Sequence, residues 1–176
     1  MASSEPAEGG AVIVLGLGSN TGDGRAIIRG AYELLAARLE GARLSCLYST
    51  DPMYVKDQPT FLNAAVSGLF RGTPAELLAL AQETEAAFGR DRSREARRGA
   101  RTLDVDLLLF GDLVVEEPPG LMIPHPGLTE RKFALVPLLE LLPEARDPRT
   151  GLFLFDSLAG LEPQGIYYAD LAPYTS

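Results

Sequence analysis

The chain has 176 residues, 46% hydrophobic and 23% charged, the size and make-up of one globular domain. Lys and Arg number 16 against 24 Asp and Glu, and the net charge of −8 argues against whole-surface affinity for nucleic acid or anionic lipid. No stretch approaches the roughly 20 apolar residues of a membrane span, and the single Cys46 excludes an internal disulfide. A cytoplasmic monomer without membrane or nucleic-acid partners is expected. The opening MASSEPAEGG reads as a disordered leader over residues 1–10, ahead of a single domain over 11–176.

Ala11 to Gly18, AVIVLGLG, is a continuous apolar run that suits a central strand buried on both faces. SNTGDG turns the chain and offers caps, after which Ile27, Ile28, Ala31, Leu34, Leu35 and Leu39 recur at helical spacing. ARLSCLYST reads as one strand with Leu44, Cys46 and Tyr48 inward, which makes Cys46 a buried structural thiol. The loop DPMYVKDQPT, long for a hairpin, is a candidate substrate wall before the strand FLNAAVSGLF. Thr73, Pro74 and Glu76 supply the cap, first-turn proline and early acid of a second helix, which Gly89 closes.

An arginine run follows, then LDVDLLLFGD and LVVEE, read as a hairpin of strands. PPGLMIPHPG is proline-punctuated coil, Thr129 is expected to cap a last helix through Phe133, Leu135, Leu138, Leu139 and Leu142, and the tail beyond Pro143 is weakly patterned. The order strand, helix, strand, strand, helix, strand predicts an α+β, ferredoxin-like antiparallel sheet with helices packed on one face and the other face left for a ligand.

Six of the 14 arginines fall between Arg90 and Arg101. A solvated charge run is the plain reading; a polyanion clamp is the sharper one, because each guanidinium offers a planar fork of donors to phosphate oxygens. The run leads into Asp104 and Asp106, which lie two apart on a strand and so share a face. Paired carboxylates repel unless a cation sits between them, and hard oxygen ligands suit Mg²⁺, which takes the rest of its shell from water and substrate phosphates. His125, held between two prolines, converges in this reading with Arg131 and Phe133 as donor, cation and stacking platform. Asn63 is awkward to bury among apolar neighbours unless its amide finds partners, and an aromatic heterocycle supplies both kinds.

The segments GLGSN, DQPTFLNAAV, RTLDVDLLLFGD and IPHPGLTERKFALVPLLELLPE, in this order, resemble the 6-hydroxymethyl-7,8-dihydropterin pyrophosphokinases of folate biosynthesis. The resemblance implies transfer of a pyrophosphoryl group from ATP to a reduced pterin alcohol with release of AMP. It implies two Mg²⁺ on Asp104 and Asp106, with Arg90 and Arg101 on the ATP phosphates and His125 and Arg131 reaching them from the other side. Gln82 and Glu85 match nucleotide-contacting positions. For the pterin it implies Asn63 as the hydrogen-bonding amide, Phe133 as the stacking ring, and Thr50, Pro52 and Phe61 as the remaining lining. The chain departs from the family at Phe61, often a tyrosine, and at Arg98 and Ala100 in the arginine loop. On the residues alone, two rivals stay open: a ferredoxin-like binding module for RNA or a small ligand, and a kinase or nucleotidyltransferase with another acceptor.

Overall fold

A computed structural model of the chain describes residues 9–51, 59–90, 102–117 and 120–170. Residues 1–8 of the expected leader, most of the loop before the FLNAAVSGLF strand and all but the first arginine of the arginine run lie outside them.

The central strand is β1, Ala11–Ser19. Asp23 caps helix α1, Gly24–Ala36, by accepting from the Ala26 N–H at 3.1 Å, and Ile28, Ala31 and Leu35 form its buried stripe. Strands β2, Glu40–Leu44, and β3, Leu47–Thr50, both pair with β4, Phe61–Phe70. Helix α2, Pro74–Ala87, opens on the expected capping box. Thr73 Oγ1 accepts from Glu76 N–H at 3.2 Å while Glu76 Oε2 accepts from Thr73 N–H at 2.7 Å, an exchange that contributes about 1 kcal/mol in general. The helix ends, as expected, at Gly89, whose φ of 78° only glycine adopts readily. Strand β5, Asp104–Phe110, returns to the sheet antiparallel to β1.

The main sheet runs β5-β1-β4-β3, with β2 beside β3 on β4, which is the ferredoxin-like order, and the antiparallel α+β class stands. The placement of the helices does not follow the expectation. Ile13, Leu15 and Leu17 of β1 pack with Ile28, Leu35, Leu77 and Ala81 of α1 and α2 on one face. Val14, Ala65 and Leu109 pack on the other face with Leu135, Leu138 and Leu139 of α3, Lys132–Leu141. Both faces of the central strands are apolar, so both demand a cover. Among the described residues, the end of the second face beyond α3, at Asp104 and Asp106, stays partly exposed.

The expected strand over residues 42–50 breaks at Ser45 and Cys46, because Ser45 Oγ accepts from Ala65 N–H at 2.9 Å and Glu140 of α3 takes the Cys46 N–H at 2.9 Å. The inward alternation shifts at this break, so Leu47 is buried and Cys46 only half-buried. LVVEE does not pair with β5; the turn at Gly111 carries the chain off the main sheet, and β6, Val115–Glu117, pairs with β7, Leu121–Ile123, inside the supposed coil. Thr129 caps nothing, since Leu128–Glu130 is a single 3-10 turn and α3 begins after Arg131. The tail holds α4, Leu154–Gly160, and β8, Ile166–Asp170, which adds a strand outside β3. No helix among the described residues is long and apolar enough to cross a membrane.

Candidate active site

The open end of the second face is built on three adjacent strands. Gly18 of β1 lies opposite Asn63 of β4 on one side and Asp104 of β5 on the other, and Gly16 lies opposite Asp106. A Cβ on Gly18 would stand 3.5 Å from the Asn63 amide oxygen and 3.9 Å from the Asp104 Cβ. The two side chains thus share a face with a gap between them, and the glycine keeps that gap open. Asn63 is buried and donates to Thr50 Oγ1 at 2.8 Å, so its amide is fixed rather than swinging. Phe61, two residues earlier on β4, points to the same face.

Asp104 and Asp106 keep 23% and 33% of their side-chain surface exposed. They are hard oxygen donors on one face, and among the described residues no third His, Cys, Asp or Glu joins them as a possible metal ligand. Two carboxylates with the remaining shell left to water and phosphate fit Mg²⁺, which dehydrates reluctantly. Asp104 also receives Arg90 Nη1, and the same nitrogen reaches Glu85 Oε1 at the end of α2. Glu85 is 2% exposed at its side chain and accepts from Val105 N–H at 2.9 Å. Its carboxylate faces protein groups, whereas Gln82 one turn earlier is exposed.

His125 follows the cis Ile123–Pro124 bond and is held from both sides, its N–H on the Leu108 carbonyl at 3.3 Å and its carbonyl on Leu128 N–H at 2.9 Å. Its Nδ1 accepts from Gly127 N–H at 3.1 Å, which leaves the proton of the neutral ring on Nε2, 3.8 Å from Asp106 Oδ1. Arg131 folds over Gly127, where a Cβ would stand 2.7 Å from its Nε, and its guanidinium carbon lies 5.8 Å from the Phe133 ring centre. Thr50, Asp51, Lys132, Phe133, Gln164 and Ile166 line a cavity of about 150 Å³.

Burial, aided by the Arg131 charge, lowers the His125 imidazole from 6.5 to about 4. Between these values the metal-free folded chain binds fewer protons than the unfolded chain, so about 3 kcal/mol of stability should be lost as the pH falls from 6.5 to 4. As this is the only histidine, an NMR titration reads it directly. A midpoint near 6.5 would contradict the expectation.

Residues 14–143 match the sequence model of the 7,8-dihydro-6-hydroxymethylpterin-pyrophosphokinase (HPPK) family. The chain belongs to this family. It is 43% identical over 155 residues to the 2-amino-4-hydroxy-6-hydroxymethyldihydropteridine pyrophosphokinase of Methylorubrum extorquens, covering 86% of this chain and 94% of that one. It is 41% identical over 158 residues to the folic acid synthesis protein fol1 of Schizosaccharomyces pombe, covering 88% of this chain but only 21% of that relative's length. The crystal structure of wild-type HPPK-DHPS from Plasmodium falciparum shares the fold, with a TM-score of 0.68 at 16% identity over 89% of this chain and 45% of that one.

On this HPPK fold, Asn63, Asp104, Asp106, Phe61 and Thr50 share one face of the sheet, and His125, Arg131 and Phe133 come from the segment that enters α3. Arg101 and Pro52 lie outside the described residues, as do Arg98 and Ala100. Sequence reasoning missed Gly127, whose lack of a side chain admits Arg131, and Gln164, which no periodicity marks.

Proposed function

We propose that the chain transfers the pyrophosphoryl group of ATP to the hydroxymethyl oxygen of 6-hydroxymethyl-7,8-dihydropterin and releases AMP, acting as one folded unit from residue 11 onward. The observation that carries this reading is the juxtaposition, across Gly18, of a fixed amide for a heterocycle and a carboxylate pair for a metal-bound polyphosphate. Asp104 and Asp106 would hold two Mg²⁺, which when bound neutralise the phosphate oxygens and polarise the transferred group. Arg90 and Arg101 hold phosphates from the β5 side, and Arg131 with the neutral His125 Nε2–H from the α3 side.

Gln82, exposed on α2, is suited to a nucleotide contact; Glu85 is suited instead to holding Arg90 and the start of β5. Asn63 reads the pterin edge, Phe133 stacks on its face, and Thr50, Pro52 and Phe61 complete the lining. The alcohol oxygen attacks the β-phosphorus in line as the bond to the α-phosphate oxygen breaks, and positioning with charge neutralisation supplies most of the rate. Incubation with ATP, Mg²⁺ and the reduced pterin alcohol followed by nucleotide chromatography tests the reading. AMP is expected; ADP would mean ordinary kinase chemistry, and unconsumed ATP a binding module.

Phe133→Ala should weaken pterin binding by about 1–3 kcal/mol through lost stacking and buried area, with a smaller effect on ATP. Calorimetry with each ligand checks this, and equal losses for both would argue against separate subsites.

A further inference from the structure

The start of α3 carries Arg131 and Phe133, yet its own sequence does little to hold it. Arg131 at the N-cap makes no side-chain capping bond, and the first turn has no acidic residue. Pro137 has no N–H to return to the carbonyl of Phe133, four residues earlier. A helix beginning this way has orphan donors at its first turn and one internal bond too few.

The missing partner comes from the tail. Gln164, between α4 and β8, accepts from the Lys132 N–H through Oε1 at 2.8 Å and donates through Nε2 to the Glu130 carbonyl at 2.9 Å. One amide thus ties the residues on both sides of Arg131, and the identities of its two partners fix which way it points. The segment that presents it is anchored in turn. Asp51 N–H donates to the Gly165 carbonyl at 3.2 Å, Ile166 pairs with Thr50, and a Cβ on Gly165 would fall on the Asp51 carboxylate. Gln164, Gly165 and Ile166 also line the cavity that Thr50 and Phe133 share.

We propose that Gln164 is a positioning residue of the pterin site, which holds Arg131 and Phe133 through the start of α3, and that residues 164–166 form a wall of that pocket. The inference rests on the reading that Phe133 stacks on the pterin. Gln164→Ala removes both bonds. Gln164→Glu keeps the acceptor for Lys132 N–H, where a carboxylate also suits a helix N-terminus, but turns an oxygen toward the Glu130 carbonyl.

The test uses the full chain with Mg²⁺ and a non-hydrolysable ATP analogue, and titrates 6-hydroxymethyl-7,8-dihydropterin by calorimetry. Gln164→Ala should bind the pterin about five- to tenfold more weakly, the size of a lost cap transmitted to the ring, while Gln164→Glu recovers most of the affinity. Affinity for the ATP analogue should fall by clearly less than the pterin's, because Arg131 is one of several groups on the phosphates whereas Phe133 is the ring under the pterin. Hydrogen exchange gives a readout independent of any ligand: the Lys132 amide should exchange faster in Gln164→Ala and near the parent rate in Gln164→Glu. Faster exchange with unchanged pterin affinity would overturn the proposal and leave the functional reading standing, and equal weakening of both ligands would also overturn it. Failure of the parent chain to bind the pterin would overturn both.

Discussion

Alanine at either Asp104 or Asp106 is expected to lower turnover by about 10²- to 10³-fold or more while the chain stays folded. Both carboxylates are partly exposed at the open end of the sheet, so removing one leaves no cavity and relieves the repulsion between them. The two variants should differ in stability. Asp104 shares Arg90 with Glu85, so Asp104→Ala removes one charged partner of a largely buried guanidinium and should cost about 1 kcal/mol more than Asp106→Ala. Steady-state rates at saturating Mg²⁺, together with urea unfolding, check both statements. Near-normal turnover in either variant would remove the metal assignment.

Glu85→Ala should produce the largest loss of stability, about 3 kcal/mol. The carboxylate is almost wholly buried, and it satisfies both the Val105 N–H and Arg90, so truncation strips a backbone donor of its acceptor and a largely buried cation of one of its two carboxylate partners together. Glu85→Gln keeps an oxygen for Val105 and should lose less. Turnover should fall in both variants as well, because the charge of Arg90 then bears on Asp104 with less to share it, and Mg²⁺ competes less well for that carboxylate. Urea denaturation and Mg²⁺ dependence of the rate are the measurements; a Glu85→Ala chain as stable as the parent would contradict the account.

Most of the frame was legible from patterns that local physics enforces. Thr73 and Glu76 make a capping box that any chain with those residues at that spacing tends to form, and Gly89 ends the helix because it tolerates a positive φ. The paired aspartates were legible because strand alternation puts Asp104 and Asp106 on one face whatever surrounds them. What sequence could not give was long-range competition. Glu140 takes the Cys46 N–H and the Tyr48 hydroxyl from 94 and 92 residues away, and so breaks a strand whose own pattern is continuous. The burial of Glu85 was likewise hidden, since helical spacing does not say which face meets β5. Gln164 carries no periodic signal because its role depends on where β8 lands.

The strand order fixes the sequence in which the site can be assembled as the chain is synthesised. β1 and β4, the two central strands, can pair and bury the α1 side of the core before the carboxylates exist on the ribosome. β5 then brings Asp104 and Asp106 to the free side of β1, with α3 covering the second face afterward. β8 and the Gln164 segment come last, after every strand they rest on. A nascent chain stalled before residue 161 therefore carries Asn63, Asp104 and Asp106 without Gln164 or the strand that follows it.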